Sequence, residues 1–189
     1  MLAYVFWHQP RPDVTGDEYE TLLGAFHRSL AAAPPPDFHG SAAYRLAAAP
    51  WAPPGSVYED WYLVSGSVGL DRLNDAAVTA SRQAPHDSVA ARAAWGAAGL
   101  YRLREGTGRL PSGGSALWFG KPAGLPYDSF YREVRGTAGL APWSLWGRQM
   151  VLGPTPEFCL HAPSGDLAQP APRATVAIAL EPVWPGARP

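Results

Sequence analysis

Two β-α-β-β-α-β units in tandem make up the α+β architecture that this 189-residue sequence predicts, the second unit shorter and without a clear second helix. Three observations support it. YVFWHQP at 4–10 is an aromatic run stopped by proline and followed by a helical pattern. VYEDWYLV at 57–64 alternates two residue sets, and the opening pattern returns about 110 residues later as ALWFGKPAG at 116–124.

The opening run is rich in the Tyr, Val, Phe and Trp that suit a half-buried strand, and Pro10 and Pro12 end it. Thr15-Gly16-Asp17-Glu18 is a capping-box pattern, in which a hydroxyl and a carboxylate satisfy free N–H groups at a helix start. Tyr19, Leu22, Leu23, Phe26 and Leu30 then recur at helical spacing until Pro34-Pro35-Pro36. GSAAYRLA at 40–47 reads as a short strand and VYEDWYLV as a stronger one. Ser67 can cap a helix carrying Leu70, Leu73 and Ala77, Asp87 can cap a second piece running through Trp95, and GLYRLRE at 99–105 reads as a strand.

The Gly, Ser and Pro of EGTGRLPSGGS mark a linker, so the first unit is placed at 1–105, the linker at 106–114 and the second unit at 115–189. In the second unit the helix at 128–134 follows the strand at 116–124 as residues 17–23 follow the opening strand. WSLWGRQMVLG at 143–153, PEFCLHAPSG at 156–165 and ATVAIALEPVW at 174–184 supply three further strands. Ser164-Gly165 echoes Ser65-Gly66, and SGDLAQPAPR leaves little room for a second helix.

The bulk numbers exclude several function classes. A hydrophobic content of 47% is ample for a core. Fifteen basic residues against 16 acidic ones give a net charge of −1, with no basic cluster, so neither nucleic acid nor a membrane surface is an expected partner. Cys159 is the sole cysteine, which removes intramolecular disulfides and cysteine-based zinc sites. It lies in an apolar strand and reads as a small buried hydrophobe. The start MLAYVFWHQP lacks a basic n-region and a cleavage site, so a cytoplasmic location is expected. There is no G-x-S-x-G, P-loop or H-E-x-x-H motif, and the five histidines are scattered, so no metal site is expected.

The order of elements resembles the ferredoxin-like half-barrels of the dimeric α/β-barrel superfamily, which includes antibiotic-biosynthesis monooxygenase-like, EthD-like, muconolactone-isomerase-like and chlorite-dismutase-like proteins. The resemblance covers nearly the whole chain and implies two sheets closing an internal barrel, with helices outside. A sheet covered by helices on one side leaves its other face bare, and the second copy is the nearest surface to bury it.

On that architecture the polar and aromatic set Tyr4, Phe6 and His8 is expected to face the barrel interior, and Ala3, Val5 and Trp7 the helices. Tyr58, Asp60 and Tyr62 form a second interior row, joined by Trp118, Trp146 and Arg148. The candidate site is therefore an aromatic cavity inside the barrel, with His8 and Asp60 as acid/base groups and Tyr4, Phe6, Tyr58, Tyr62, Trp118, Trp146 and Arg148 as binding residues. Each has a plainer reading. His8 can be a strand-end histidine half in solvent, and Asp60 can be exposed or held in a structural ion pair with Arg45, Arg102 or Arg148. Tyr58 and Tyr62 can fill core with bonded hydroxyls. His27 is expected at the solvent boundary of its helix and His86 in a solvated loop, while His161 repeats the His8 question more weakly.

Three functions follow in order of preference: a small-molecule-binding barrel, enzymatic without a cofactor on an aromatic or polycyclic ligand; a non-catalytic protein whose barrel is filled; and a haem protein. The chlorite-dismutase-like branch implies a haem-ligating histidine on the second unit's helix, and residues 126–136 contain none. No cofactor is expected, and homodimerisation is left open. Aligning Pro10 with Pro122 sets Gly120 opposite His8, so a role for His8 would be peculiar to the first half.

Overall fold

The computed structural model describes residues 1–137, 142–162 and 176–184. In chain order these form β1 (Leu2–Pro10), α1 (Gly16–Ala32), β2 (Phe38–Leu46), β3 (Val57–Val64), α2 (Ser67–Ala77), a 3-10 turn (Ala80–Arg82), α3 (Gln83–Ala90) and β4 (Ala93–Gly106). Then come β5 (Gly114–Phe119), α4 (Tyr127–Thr137), β6 (Ser144–Arg148), β7 (Phe158–Ala162) and β8 (Val176–Trp184). The strands pair antiparallel in a closed barrel of order β1-β3-β2-β8-β5-β7-β6-β4. Residues 2–106 supply the run β4-β1-β3-β2, and residues 114–184 supply β8-β5-β7-β6. The expected absence of a second helix in the second half, the Ser164-Gly165 echo and the first two residues of the closing strand lie outside the described residues.

Local chemistry accounts for the first half. Thr15 Oγ1 accepts the Glu18 amide at 3.2 Å and starts α1. The reciprocal half of the capping box is absent, because the Glu18 carboxylate takes Arg92 Nε at 2.7 Å instead. Gly66, and not Ser67, stands at the N-cap of α2. The expected Asp87-capped helix through Trp95 is corrected: α3 starts at Gln83, and Trp95 belongs to β4. Alanine-rich residues 93–98 have helical propensity, but their backbone pairs with β1 from Phe6 to Pro10, and tertiary pairing overrides local preference.

The expected strand faces are also inverted. One buried cluster draws on all eight strands and fills the barrel, with Val5, Trp7, Trp61, Tyr101, Trp118 and Trp146 among its members. A second cluster lies between the sheet of the first half and α1–α3, and contains Tyr58 and Tyr62 with Tyr19, Leu23 and Phe26. A third packs Phe119, Phe158 and Leu160 against Phe130 and Val134 of α4. Tyr4, Phe6, His8, Tyr58, Asp60 and Tyr62 thus face the helices, whereas Trp118 and Trp146 face the interior as expected. The physical reason is volume. An eight-stranded barrel must be filled by its own side chains, and the indoles fill it best, each contributing about 4 kcal/mol of burial.

Candidate functional site

Glu59 and His161 are buried ionisable groups among the rings of the barrel interior. Glu59, opposite Trp7 on β3, accepts the indole N–H groups of Trp7 at 2.6 Å and Trp61 at 2.7 Å. Burial pushes its carboxyl up to about 7, against the pull of those two donors. His161 lies with its ring 4.5 Å from that of Trp61; neither of its nitrogens has a hydrogen-bond partner among the described residues, and burial lowers its pKa to about 3. The indole nitrogens of Trp118 and Trp146 are likewise buried without an acceptor among the described residues. Side chains from all eight strands meet in this interior, while the expected interior row of Tyr4, Phe6, His8, Tyr58, Asp60 and Tyr62 lies on the other face.

A large cavity lies on the other face of the same strands. About 740 Å³ opens between β1 and β3 on one side and α1, α2 and α3 on the other. Tyr4, Phe6, His8, Asp60 and Tyr62 form its sheet wall, Tyr19, Leu23 and Phe26 come from α1, and Asp71, Asn74 and Asp75 come from α2. Alternation on β1 and β3 places these groups together: Tyr4 pairs with Tyr62, Phe6 with Asp60 and His8 with Tyr58. The stacked rings of Tyr4, Phe6 and His8 run along β1 at centroid spacings of 6.4 and 5.0 Å.

At the floor is a buried polar cluster centred on Asp60, which is 2% exposed. Its Oδ2 accepts the Tyr62 hydroxyl at 2.9 Å and lies 3.2 Å from His8 Nε2 and 3.5 Å from His27 Nε2. The two histidine approaches are close polar contacts, not well-aligned hydrogen bonds. The other ring nitrogens are oriented by hydroxyls: His8 Nδ1 meets Tyr19 Oη at 2.6 Å, and His27 Nδ1 meets Ser41 Oγ at 2.7 Å. Burial alone would raise the Asp60 carboxyl, but the charges of His8 and His27 hold it well below the usual carboxylate range. Burial and the Asp60 charge raise the phenols of Tyr4, Tyr19 and Tyr62, so all three stay protonated at neutral pH. Asp60 Oδ1 is buried and has no hydrogen-bond partner among the described residues.

The expected arginine partners of Asp60 are replaced by histidines. Arg45 pairs with Glu20 and Glu181, Arg102 bonds Gln149, and Arg148 donates to the carbonyls of Gly153 and Thr155. Arg148 borders a separate cavity of about 340 Å³ with Arg104 and Tyr131, away from His8 and Asp60. Tyr58 donates to Glu20 at 3.1 Å and has its phenol raised to about 12 by burial and that carboxylate. His8 is not half in solvent; it is 1% exposed.

Sequence reasoning missed Tyr19 as a polar partner, Ser41, and above all His27, which is fully buried. His27 stands four residues after Leu23 and three before Leu30, so the helical spacing that marked α1's apolar face includes it. Among the described residues, no group of three or more His, Cys, Asp or Glu is placed to hold a metal ion. No helix among them is long and apolar enough to cross a membrane.

A crystal structure described as that of a putative monooxygenase from Lactobacillus acidophilus NCFM is similar to this chain, with a TM-score of 0.61 over 97% of this chain and 94% of that one. What the two share is the fold. Their sequences are 8% identical, so the likeness speaks for the fold alone. No protein-family model matches the chain, and no curated protein matches it.

Proposed function

We propose that the protein binds an aromatic or polycyclic small molecule in the cavity between its first sheet and helices α1–α3, and acts on it by proton transfer without a cofactor. The observation that carries this reading is the Tyr19–His8–Asp60–His27 cluster, buried at the floor of an apolar cavity of about 740 Å³. That volume falls in the ordinary range for small-molecule sites, and a few convergent polar groups in an aromatic wall are their usual chemistry.

In the proton-accepting state Tyr19 donates its hydroxyl hydrogen to His8 Nδ1, and His8 Nε2–H faces Asp60. A ligand proton passes to Tyr19 Oη while the Tyr19 proton passes to His8 Nδ1, leaving a deprotonated ligand and an imidazolium beside an ionised carboxylate. Asp60 stabilises that imidazolium, as an orienting carboxylate does beside other catalytic histidines. His8 is thus the base and Asp60 its electrostatic partner, with Tyr19 the group that touches the ligand. The neighbour's description as a monooxygenase makes dioxygen uptake the first reaction to assay.

The strand runs β4-β1-β3-β2 and β8-β5-β7-β6 support reading the chain as two ferredoxin-like units with the site in the first. Trp7 and Trp118 both enter the barrel, so matching by orientation sets His8 against Phe119, one residue from the Gly120 that aligned prolines suggest. By the same rule Asp60 stands against Leu160, since Phe6 pairs with Asp60 and Leu117 with Leu160. The second half fills with Phe119, Phe158 and Leu160 the place where the first half is hollow.

Native mass spectrometry of protein isolated from its own host tests the binding reading, with a retained small molecule of aromatic absorbance as the expected result. Turnover of that ligand unaffected in a His8→Gln/Asp60→Asn double variant would refute the proton-transfer assignment.

A further inference from the structure

We propose that the ligand carries a cationic N–H head: a ring-bearing ammonium compound whose apolar body lies against Phe6, Phe26 and Tyr62 and whose nitrogen donates to Asp60 Oδ1. This rests on the reading that the cavity binds an aromatic small molecule, and it adds the charge of that molecule.

Asp60 supplies the first reason. Its Oδ2 is crowded by Tyr62, His8 and His27, whereas Oδ1 is buried and unbonded among the described residues, in a residue that lines the cavity. A buried carboxylate oxygen without a donor is costly, and the residue that carries this one lines the cavity. The missing partner is therefore a donor brought by the ligand, and a cationic donor bonds a carboxylate more strongly than a neutral one.

The mouth supplies the second. Asp71 and Asp75 stand one helical turn apart on α2, both line the cavity, and neither forms an ion pair among the described residues. Among the described residues, no Lys or Arg lines the cavity. Its two histidines face carboxylates already, His8 on Asp60 and His86 with Nδ1 3.0 Å from Asp87 Oδ1. An anionic ligand would meet the carboxylates of Asp60, Asp71 and Asp75 with no lysine or arginine among the described residues that line the cavity. An ammonium would be steered by the exposed pair, accepted by the π faces of Tyr4, Phe6 and Tyr62, and bonded at the floor.

Isothermal titration of the full chain with naphthylmethylamine, naphthylmethanol and naphthoic acid, at low salt and neutral pH, separates the possibilities. The amine is expected to bind about tenfold or more tighter than the acid, with the alcohol between them. Asp71→Asn/Asp75→Asn, which changes two exposed side chains, should narrow that ratio about threefold, and folded Asp60→Asn should bring it close to parity. Ala77→Phe, which fills the cavity, should abolish amine binding. Acid binding equal to or tighter than amine binding overturns the inference alone, as does a ratio unmoved in the Asp71/Asp75 variant, whether or not Asp60→Asn folds. Binding of none of the three probes, or amine binding that survives Ala77→Phe, overturns the underlying reading and the inference together.

Discussion

Replacing Glu59 by Gln isolates the cost of keeping a carboxylate inside the barrel. Glu59 is fully buried between two indole N–H donors, with its pKa raised from 4.5 to about 7 by burial. Between those values the unfolded chain has released a proton that the folded chain still holds, so the native state loses stability as pH rises through the window. A shift of that size amounts to about 3 kcal/mol between pH 4.5 and about pH 8. Gln does not ionise, so the Glu59→Gln variant lacks this term. It keeps one acceptor for the indoles and turns an amide N–H₂ toward the other, which costs about 1–3 kcal/mol at every pH. The assay is urea denaturation of both proteins at the two pH values, read as a double difference that cancels the titration of Asp60 and every other shared group. The stability of the natural protein relative to the variant should fall by about 3 kcal/mol from the acid to the alkaline condition. Parallel pH dependence in the two proteins would refute the placement of an ionisable Glu59 in a dry interior.

Asp60→Asn should destabilise the protein by about 3 kcal/mol near neutral pH, because His8 and His27 lose the carboxylate between them. Asp60 is depressed in the folded state, so its contribution is present above the usual value of 3.8 and fades as pH falls toward the folded value; the variant's deficit should shrink in acid, as read by chemical denaturation. Tyr19→Phe keeps the ring against Tyr58 but removes the hydroxyl at His8; once a substrate is in hand, turnover should fall about 100-fold, with ligand affinity within about threefold by titration calorimetry. Trp118→Ala should cost about 4 kcal/mol by thermal or urea unfolding, whereas Met150→Ala, at a position 78% exposed, should stay within about 0.5 kcal/mol.

The element order was largely legible because strand alternation and helical spacing are local signals. β1, α1 and β3 lie close to where pattern and proline place them. The face assignment was not legible, because every residue of β3 is buried: with both faces wrapped in core, polarity no longer tells inside from outside. The decisive cue was bulk. Trp7, Trp61, Trp118 and Trp146 come from four different strands and share one interior, a demand of barrel volume that the mixture of polar and aromatic groups at Tyr4, Phe6 and His8 obscured. His8 and Asp60 were singled out as residue types suited to acid/base work, and the fold brings them to 3.2 Å. His27 and Tyr19 join them only through the docking of α1 on the sheet, a contact that neither residue's own neighbours in sequence announce.

The account turns on where a ligand sits. A crystal structure of the protein with a brominated naphthylmethylamine, read through the bromine's anomalous scattering, tests that directly. The peak should fall between the sheet and α1–α3, within the cavity bounded by Phe6, Asp60, Tyr62 and Asp75. A peak inside the barrel, among Trp7, Trp61, Trp118 and Trp146, would contradict the account.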